Sequence, residues 1–460
     1  MKITPTTLTK SMANRLGTAE FHRALFSLAI PIMLQNLINS SVNMIDTVMI
    51  GRLGTAEIAA VGLANNFFFL MNMILFGAVS GGGVFAAQFW GKKDIAGIRK
   101  NFGLCLIIVF AIASLFTGVS LFAPRTILSL YSRDPMVVEL GSLYLRTVAP
   151  CFIPFGISFV FTLMMRTIEK VKLSMTATFI SLSLNVCLNA LLIFGLGPFP
   201  ELGIRGAAIA TVIARFVELL ILVTTAYARK YAIAGTFREL FAIDARFVSR
   251  YFAIAFPVIV NELLWSLGVS MQNLIFARTG TDAFAAFNIV NTLSQLTWVV
   301  FIGLGNGCSV LIGKRIGEGR EDAARAYSRY ITSFAPLMAF CIAFLLLPLS
   351  RLVPVLFKVE PAVLGTVSSM IMLLALSYPF RAFNMSMVIG VCRAGGDTVF
   401  SVFYDLFFMW TFALPLGAAA SFAFGLPAWA VYACIASEDV LKVLPGWLRL
   451  RSGKWLHNVT

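Results

Sequence analysis

From Leu25 onward the chain is a succession of long apolar runs separated by short polar, basic or glycine-containing breaks. Each run reaches the ~20 residues an α-helix needs to cross a ~30 Å hydrocarbon core. The pattern predicts spans at 25–50, 58–86, 102–123, 142–164, 173–196, 206–228, 250–276, 284–312, 328–350, 364–388, 399–420 and 425–446. The fold class is therefore all-α and polytopic, with about twelve transmembrane helices.

The pattern is written twice. A shift of 226 positions lays the first two spans on the seventh and eighth without a gap. Pro31 falls on Pro257, Arg52 on Arg278, Gly54 on Gly280, Asn65 on Asn291, Gly77 on Gly303 and Gly81 on Gly307. Six spans per copy bring both copies in from the same side of the membrane, so the expected architecture is two six-helix bundles related by a pseudo-two-fold axis along the membrane normal, facing a central cleft. The expected domains are a cytoplasmic N-terminal segment at 1–24, a first lobe at 25–229, a basic linker at 230–249, a second lobe at 250–446 and a cytoplasmic tail at 447–460.

Composition agrees: 59% of residues are hydrophobic, 12% are charged and mean hydropathy is +0.88. A net charge of +15 would suit nucleic acid, but the basic residues flank apolar spans. With the N-terminus inside, most of them, among them Lys92, Lys93, Lys170, Lys172, Arg229, Lys230, Lys314, Arg315, Arg449 and Arg451, fall on the cytoplasmic side. Few, including Arg52, Arg125, Arg278, Arg351 and Lys358, fall opposite, so both termini are expected inside a prokaryotic cytoplasmic (inner) membrane. The polar Met1–His22 stretch lacks the pattern of a removable signal, and seven scattered cysteines without a CxxC pair read as small apolar filler. No cofactor is expected.

Several apolar runs carry polar stripes at helical spacing. The first span has Asn36, Asn39, Asn43 and Asp46, the fifth Ser181, Asn185 and Asn189, the seventh Glu262, Ser266, Ser270 and Asn273, the eighth Asn288, Asn291 and Gln295. A single asparagine serves as readily as an interhelical hydrogen bond; four stripes together point to a hydrated cavity. Ionisable groups weigh more, because a charge at mid-bilayer costs about 2.5–3.5 kcal/mol on insertion scales. Glu262 sits near the middle of its span and is the leading candidate to carry a proton or sodium; Asp46 lies nearer the outer end, where snorkelling competes with a cavity role. Each acid has a neutral mate in the other copy, Gln272 for Asp46 and Asn36 for Glu262. Arg381 and Asp405, on consecutive spans, are expected to form a structural charge pair, as are Arg215 with Glu218 and Glu438 with Lys442 at helical spacing.

Taken in order, Ala-Ile-Pro at 29–31, DTVMIGRLGTAEIAAVGLA at 46–64, ELGIRGAAIATVIAR at 201–215, NELLWSL at 261–267, CRAGGDT at 392–398 and RSGKW at 451–455 resemble the multidrug and toxic compound extrusion (MATE) family over nearly the whole chain. The resemblance implies two six-helix lobes, alternating access, and export of small organic cations in exchange for H+ or Na+. Asp46 matches the family's first-helix acid, and Asn185 and Asn189 a polar pair in the fifth helix, where some members carry an aspartate in place of Asn189. Glu262 resembles the seventh-helix glutamate, displaced by about one turn, and Arg381 stands where other members have a tenth-helix aspartate. The expected ion-coupling and substrate-binding set is thus Asp46, Glu262, Asn39, Asn43, Asn185, Asn189, Asn288, Asn291 and Gln295, with Asp46, Asn185 and Asn189 a possible sodium site.

The expected partners are organic cations and membrane lipid, with a monomer sufficient because the cleft lies within one chain. A flippase for lipids or lipid-linked sugars on a related fold is the alternative, and would call for a wider, more basic cavity. A membrane-embedded enzyme is disfavoured: His22 and His457 lie outside the spans, and no nucleophile or phosphate-loop motif is present.

Overall fold

The computed structural model describes residues 5–349 and 361–460, so Arg351 and Lys358 lie outside the described residues. Among these it contains no strand. The helices are α1 Pro5–Gly51, α2 Thr55–Lys92, α3 Ile95–Phe122, α4 Pro124–Ser129, α5 Pro135–Val148, α6 Phe152–Thr167, α7 Val171–Phe194, α8 Gly203–Ala228, α9 Phe237–Leu240 and α10 Ala245–Thr279. There follow α11 Thr281–Gly317, α12 Glu321–Leu349, α13 Pro361–Met385, α14 Thr398–Phe408, α15 Leu414–Ala418 and α16 Ala428–Ser452.

Ten of the described helical stretches are long and apolar enough to cross a bilayer. The two remaining predicted spans, 328–350 and 425–446, fall on α12 and α16; the α16 run carries Glu438, Asp439 and Lys442. The fourth predicted span is the α5–α6 rod, joined by a short 3-10 turn at Ala149–Cys151, and the eleventh is α14–α15 with π turns at Met409–Ala413 and Ala419–Ala423. Hydropathy marks where the membrane begins and not where a helix does, which is why α1 starts at Pro5, well before Leu25. Where rods end, local chemistry ends them: Asp94 and Asp134 cap α3 and α5 by accepting from Gly97 N–H and Met136 N–H, and Gly195 closes α7 at φ 65°.

The chain forms two compact units, one of Met1–Met33 with Leu267–Asn458, the other of Leu34–Ser266 with Val459–Thr460. Their boundaries fall inside α1 and α10, two residues past Pro31 in one and nine past Pro257 in the other. Each unit shows the duplication in its packing. In one, a Cβ on Gly77 would fall 2.6 Å from Ile259 Cα and one on Gly81 2.8 Å from Ala255 Cα. In the other, the repeat mates Gly303 and Gly307 meet Met33 and Ala29, which are themselves the mates of Ile259 and Ala255. Small residues let these backbones approach closely.

The 230–249 segment is docked and not loose. Thr236 and Glu239 form a capping box on α9, Arg99 pairs with Glu239 at 2.6 Å and donates to the Ala232 carbonyl at 3.2 Å, and Lys100 pairs with Asp244.

Candidate functional site

Within the Leu34–Ser266 unit, α7 lies along α8, and both present polar side chains to their shared seam. On α7 the stripe is Thr178, Ser181, Asn185 and Asn189, all buried; on α8 it is Thr211, Arg215 and Glu218. The spacing of three or four residues sets each group on one helix face, and a seam of buried polar groups requires partners for each.

Asp46 of α1 closes the end of this seam. Asn189 Nδ2 donates to Asp46 Oδ1 at 2.7 Å. Asn185 is read with its nitrogen toward Asp46, because the opposite orientation would set its oxygen only against acceptors; it then donates to both carboxylate oxygens at 3.2 Å and accepts from Thr211 N–H at 3.3 Å. Two amide donors thus hold one half-buried carboxylate. Asn189 Oδ1, on the same amide, is buried with no hydrogen-bond partner. A cluster that turns both amide nitrogens on a carboxylate yet leaves one amide oxygen open beside it is suited to receive a proton donor or a small cation.

Further along the seam, Arg215 Nη1 donates to Glu218 Oε2 at 2.7 Å, the i,i+3 pair expected from the sequence. Glu218 Oε1 accepts from Thr178 at 2.8 Å, Thr178 accepts from Gln35 Nε2 at 2.8 Å, and Gln35 Oε1 accepts from Arg166 Nη2 at 2.9 Å. Gln35, Thr178 and Arg166 were not singled out from the sequence. Each extends a polar series at helical spacing, Thr178 the Ser181–Asn185–Asn189 stripe, Gln35 the Asn39–Asn43–Asp46 stripe and Arg166 the buried Ser158 and Thr162, so the spacing was there to be read.

The other expected site residues are dispersed. Glu262 is buried on α10 in the same compact unit as Asp46, Asn39 is half-buried and Asn43 exposed on α1. Asn288 and Gln295 are exposed and Asn291 half-buried on α11, in the other unit. Three of the nine, Asp46, Asn185 and Asn189, are joined by hydrogen bonds.

The expected Arg381–Asp405 pair is corrected. Arg381 Nε bonds Asp439 Oδ2 at 3.1 Å and its Nη1 reaches Ser294 at 3.2 Å, while Asp405 pairs with Lys442 at 3.3 Å. Lys442 also lies 3.5 Å from Glu438, the expected i,i+4 contact. The reason is packing: α13 lies against α16, so the partner of Arg381 comes from the last helix and not from the next one. Asn384 donates to the Asp439 carbonyl at 2.9 Å and accepts from Tyr404 at 2.6 Å, tying three helices together. The π turn Ser386–Arg393 continues directly from this helix.

A duplicated set of helices long and apolar enough to cross a membrane, with a half-buried carboxylate held by two amides in one unit and a buried ion-pair network in the other, defines an internally repeated polytopic membrane protein. The chain belongs to the MatE family, which matches it twice, at residues 31–191 and 257–419. The two matches start 226 positions apart, the same offset as the internal repeat. It is 25% identical over 409 residues to the multidrug resistance protein PmpM of Pseudomonas aeruginosa, covering 88% of this chain and 84% of that one. It is 24% identical over 400 residues to the multidrug resistance protein MdtK of Edwardsiella ictaluri, covering 86% of each. Its fold superposes on a crystal structure of a mutant of the Vibrio cholerae MATE transporter VcmN with a TM-score of 0.87, at 19% identity, covering 96% of this chain and 99% of that one.

Proposed function

We propose that the protein is a secondary antiporter that exports small organic cations across a prokaryotic inner membrane by alternating access, in exchange for an inward-moving ion bound at Asp46. The observation that carries this reading is the Asp46 carboxylate held by Asn189 at 2.7 Å at the end of the polar α7–α8 seam. Ion entry from outside would neutralise this carboxylate, and a cationic substrate arriving from inside would compete for it; competition for one charge is what couples the two fluxes. Glu262, buried on α10, is a further acid in that unit's spans and would share the attraction for cations.

Between the two candidate ions, the donor set supports H+. Both amide nitrogens face the carboxylate, and Asn189 Oδ1 is the acceptor left open, which suits a carboxylic O–H; sodium needs several convergent oxygens. A flippase would call for a wider, more basic cavity, and Arg381, a basic group within the spans, is paired with Asp439 at 3.1 Å. Both termini inside, lipid as the surrounding solvent and a monomer as the working unit complete the proposal.

The test is efflux of ethidium, a fluorescent organic cation, from proteoliposomes under separately imposed pH and sodium gradients. Efflux driven by the pH gradient and lost in Asp46→Asn supports the reading. Folded protein that moves no cation under either gradient sinks it.

A further inference from the structure

The Arg215–Glu218 pair, half-buried at the arginine and buried at the glutamate, lies one helical turn from the Asp46 cluster. Thr211, whose N–H lies 3.3 Å from the Asn185 oxygen, precedes Arg215 by four residues on α8. Side chains on a helix lean toward its N-terminus and cover the preceding turn. The unrestrained swing of Arg215 is therefore over Thr211, toward Asn185 and the Asp46 carboxylate.

Its guanidinium is instead held at Glu218, 2.7 Å away, and lies 5.1 Å from the Phe155 ring centre. Glu218 is fixed in turn, since its second oxygen is taken by Thr178, which is bound by Gln35, which is bound by Arg166. Glu218 is 4% exposed, so water does not substitute for these partners. A buried charge pair is weak support for stability compared with apolar packing, so a built and buttressed one asks for another role. The other acids of this unit's spans are Asp46 and Glu262, and Asp46 is the one that joins the α7–α8 seam.

We propose that Glu218 is a positioning residue that holds Arg215 away from Asp46, so that the coupling ion and not the protein's own guanidinium fills the Asp46 site. This rests on Asp46 being the ion-coupling residue. Loss of the Glu218 charge leaves Arg215 to seek the next carboxylate, where it acts as a built-in competitor. The consequence is a change in apparent ion affinity, and not in the maximal rate.

The experiment is gradient-driven ethidium efflux from proteoliposomes, recorded against external proton and, separately, sodium concentration, with melting temperature in detergent as the check on folding. Glu218→Gln is expected to raise the half-saturating ion concentration about tenfold, the equivalent of one pKa unit, with the maximal rate retained. Adding Arg215→Leu to it is expected to restore half-saturation, because the competitor is gone. A purely structural role gives the opposite pattern: the rate falls, half-saturation stays, and the double variant is no better, which overturns the proposal. If Glu218→Gln does not fold, Glu218→Asp keeps the charge one methylene further back and is expected to give a smaller rise, again removed by Arg215→Leu; no rise overturns the proposal. Efflux that persists in Asp46→Asn removes the antiport site and this inference together. Efflux lost in Asp46→Asn with unshifted half-saturation in Glu218→Gln removes this inference alone.

Discussion

Asp46 and Asn189, 143 positions apart in the chain, meet through a 2.7 Å hydrogen bond that joins the end of α1 to the end of the α7–α8 seam. Asn185 approaches the same carboxylate from one turn away on α7, at 3.2 Å. The carboxylate therefore depends on two amides of one helix for its orientation, and any cation that enters competes with, or adds to, those two bonds.

Removing one of them tests the arrangement without touching the charge. A hydrogen bond to a charged group contributes about 1.5–3 kcal/mol. Asn189→Leu is accordingly expected to lower coupled efflux by about tenfold or more at subsaturating ion, with Asn189→Asp giving a different ion dependence because a second carboxylate joins the first. Initial rates of ethidium efflux in proteoliposomes check this; wild-type rates in Asn189→Leu would show that the bond is incidental.

In the other unit, Arg381 and Asp439 form the ion pair that ties α13 to α16. Asp439 is buried, so Asp439→Asn leaves a guanidinium with its carboxylate gone and is expected to cost about 3–5 kcal/mol, seen as a lower melting temperature in detergent. The double variant Asp439→Leu with Arg381→Met removes both charges and is expected to recover much of the loss. Asp405→Asn acts on Lys442 instead, so its loss is expected to be relieved more by Lys442→Met than by Arg381→Met. Greater relief by Arg381→Met would contradict this assignment.

What the sequence made legible follows from what periodicity measures. Run length located all twelve rods, and the 226-residue offset located the duplication that Gly77–Ile259 and Gly303–Met33 then repeat in packing. Spacing along one helix placed Asn185 with Asn189 and paired Arg215 with Glu218. It does not say which helices touch. Arg381 was therefore assigned to the adjacent span when its partner lies on α16, and Gln35 and Arg166 were passed over because spacing within each helix does not say that they meet each other and Thr178 behind Glu218. The units also divide α1 and α10 at points that no change in composition marks.

The close helix approaches give an asymmetric prediction from symmetric positions. At Gly77 an added Cβ would meet backbone, 2.6 Å from Ile259 Cα, whereas at Gly303 it would meet the flexible side chain of Met33. Gly77→Ala is expected to cost about 1–3 kcal/mol by overpacking and Gly303→Ala less, since a methionine re-packs. Gly62→Ala, with nothing within 4 Å, is the control and is expected to gain about 0.5–1 kcal/mol of helix stability. Thermal melts of the three purified variants rank them directly; equal losses at Gly77 and Gly303 would refute the packing argument.

The docked segment that carries α9 should loosen in acid. Thr236, through its N–H and then its hydroxyl, together with Arg99, holds the Glu239 carboxyl below its ordinary range, and Lys100 does the same for Asp244. Unfolded glutamate and aspartate titrate near about 4.3 and 3.9. Folded values below these mean that the contribution is fully present above them and is lost as pH falls through the folded values. Docking should therefore be constant from pH 7 to about 5 and fail progressively below about 4. Because both carboxylates are solvent-exposed, salt should weaken the effect as well. A fluorophore on a cysteine introduced at the exposed Phe237 reports this as anisotropy against pH. Glu239→Ala, which removes both the capping carboxylate and the Arg99 partner, is expected to show the low-anisotropy state already at pH 7. Anisotropy that stays level to pH 3 in the wild type would mean that the buried Ile233 and Leu240, and not the ion pairs, hold the segment in place.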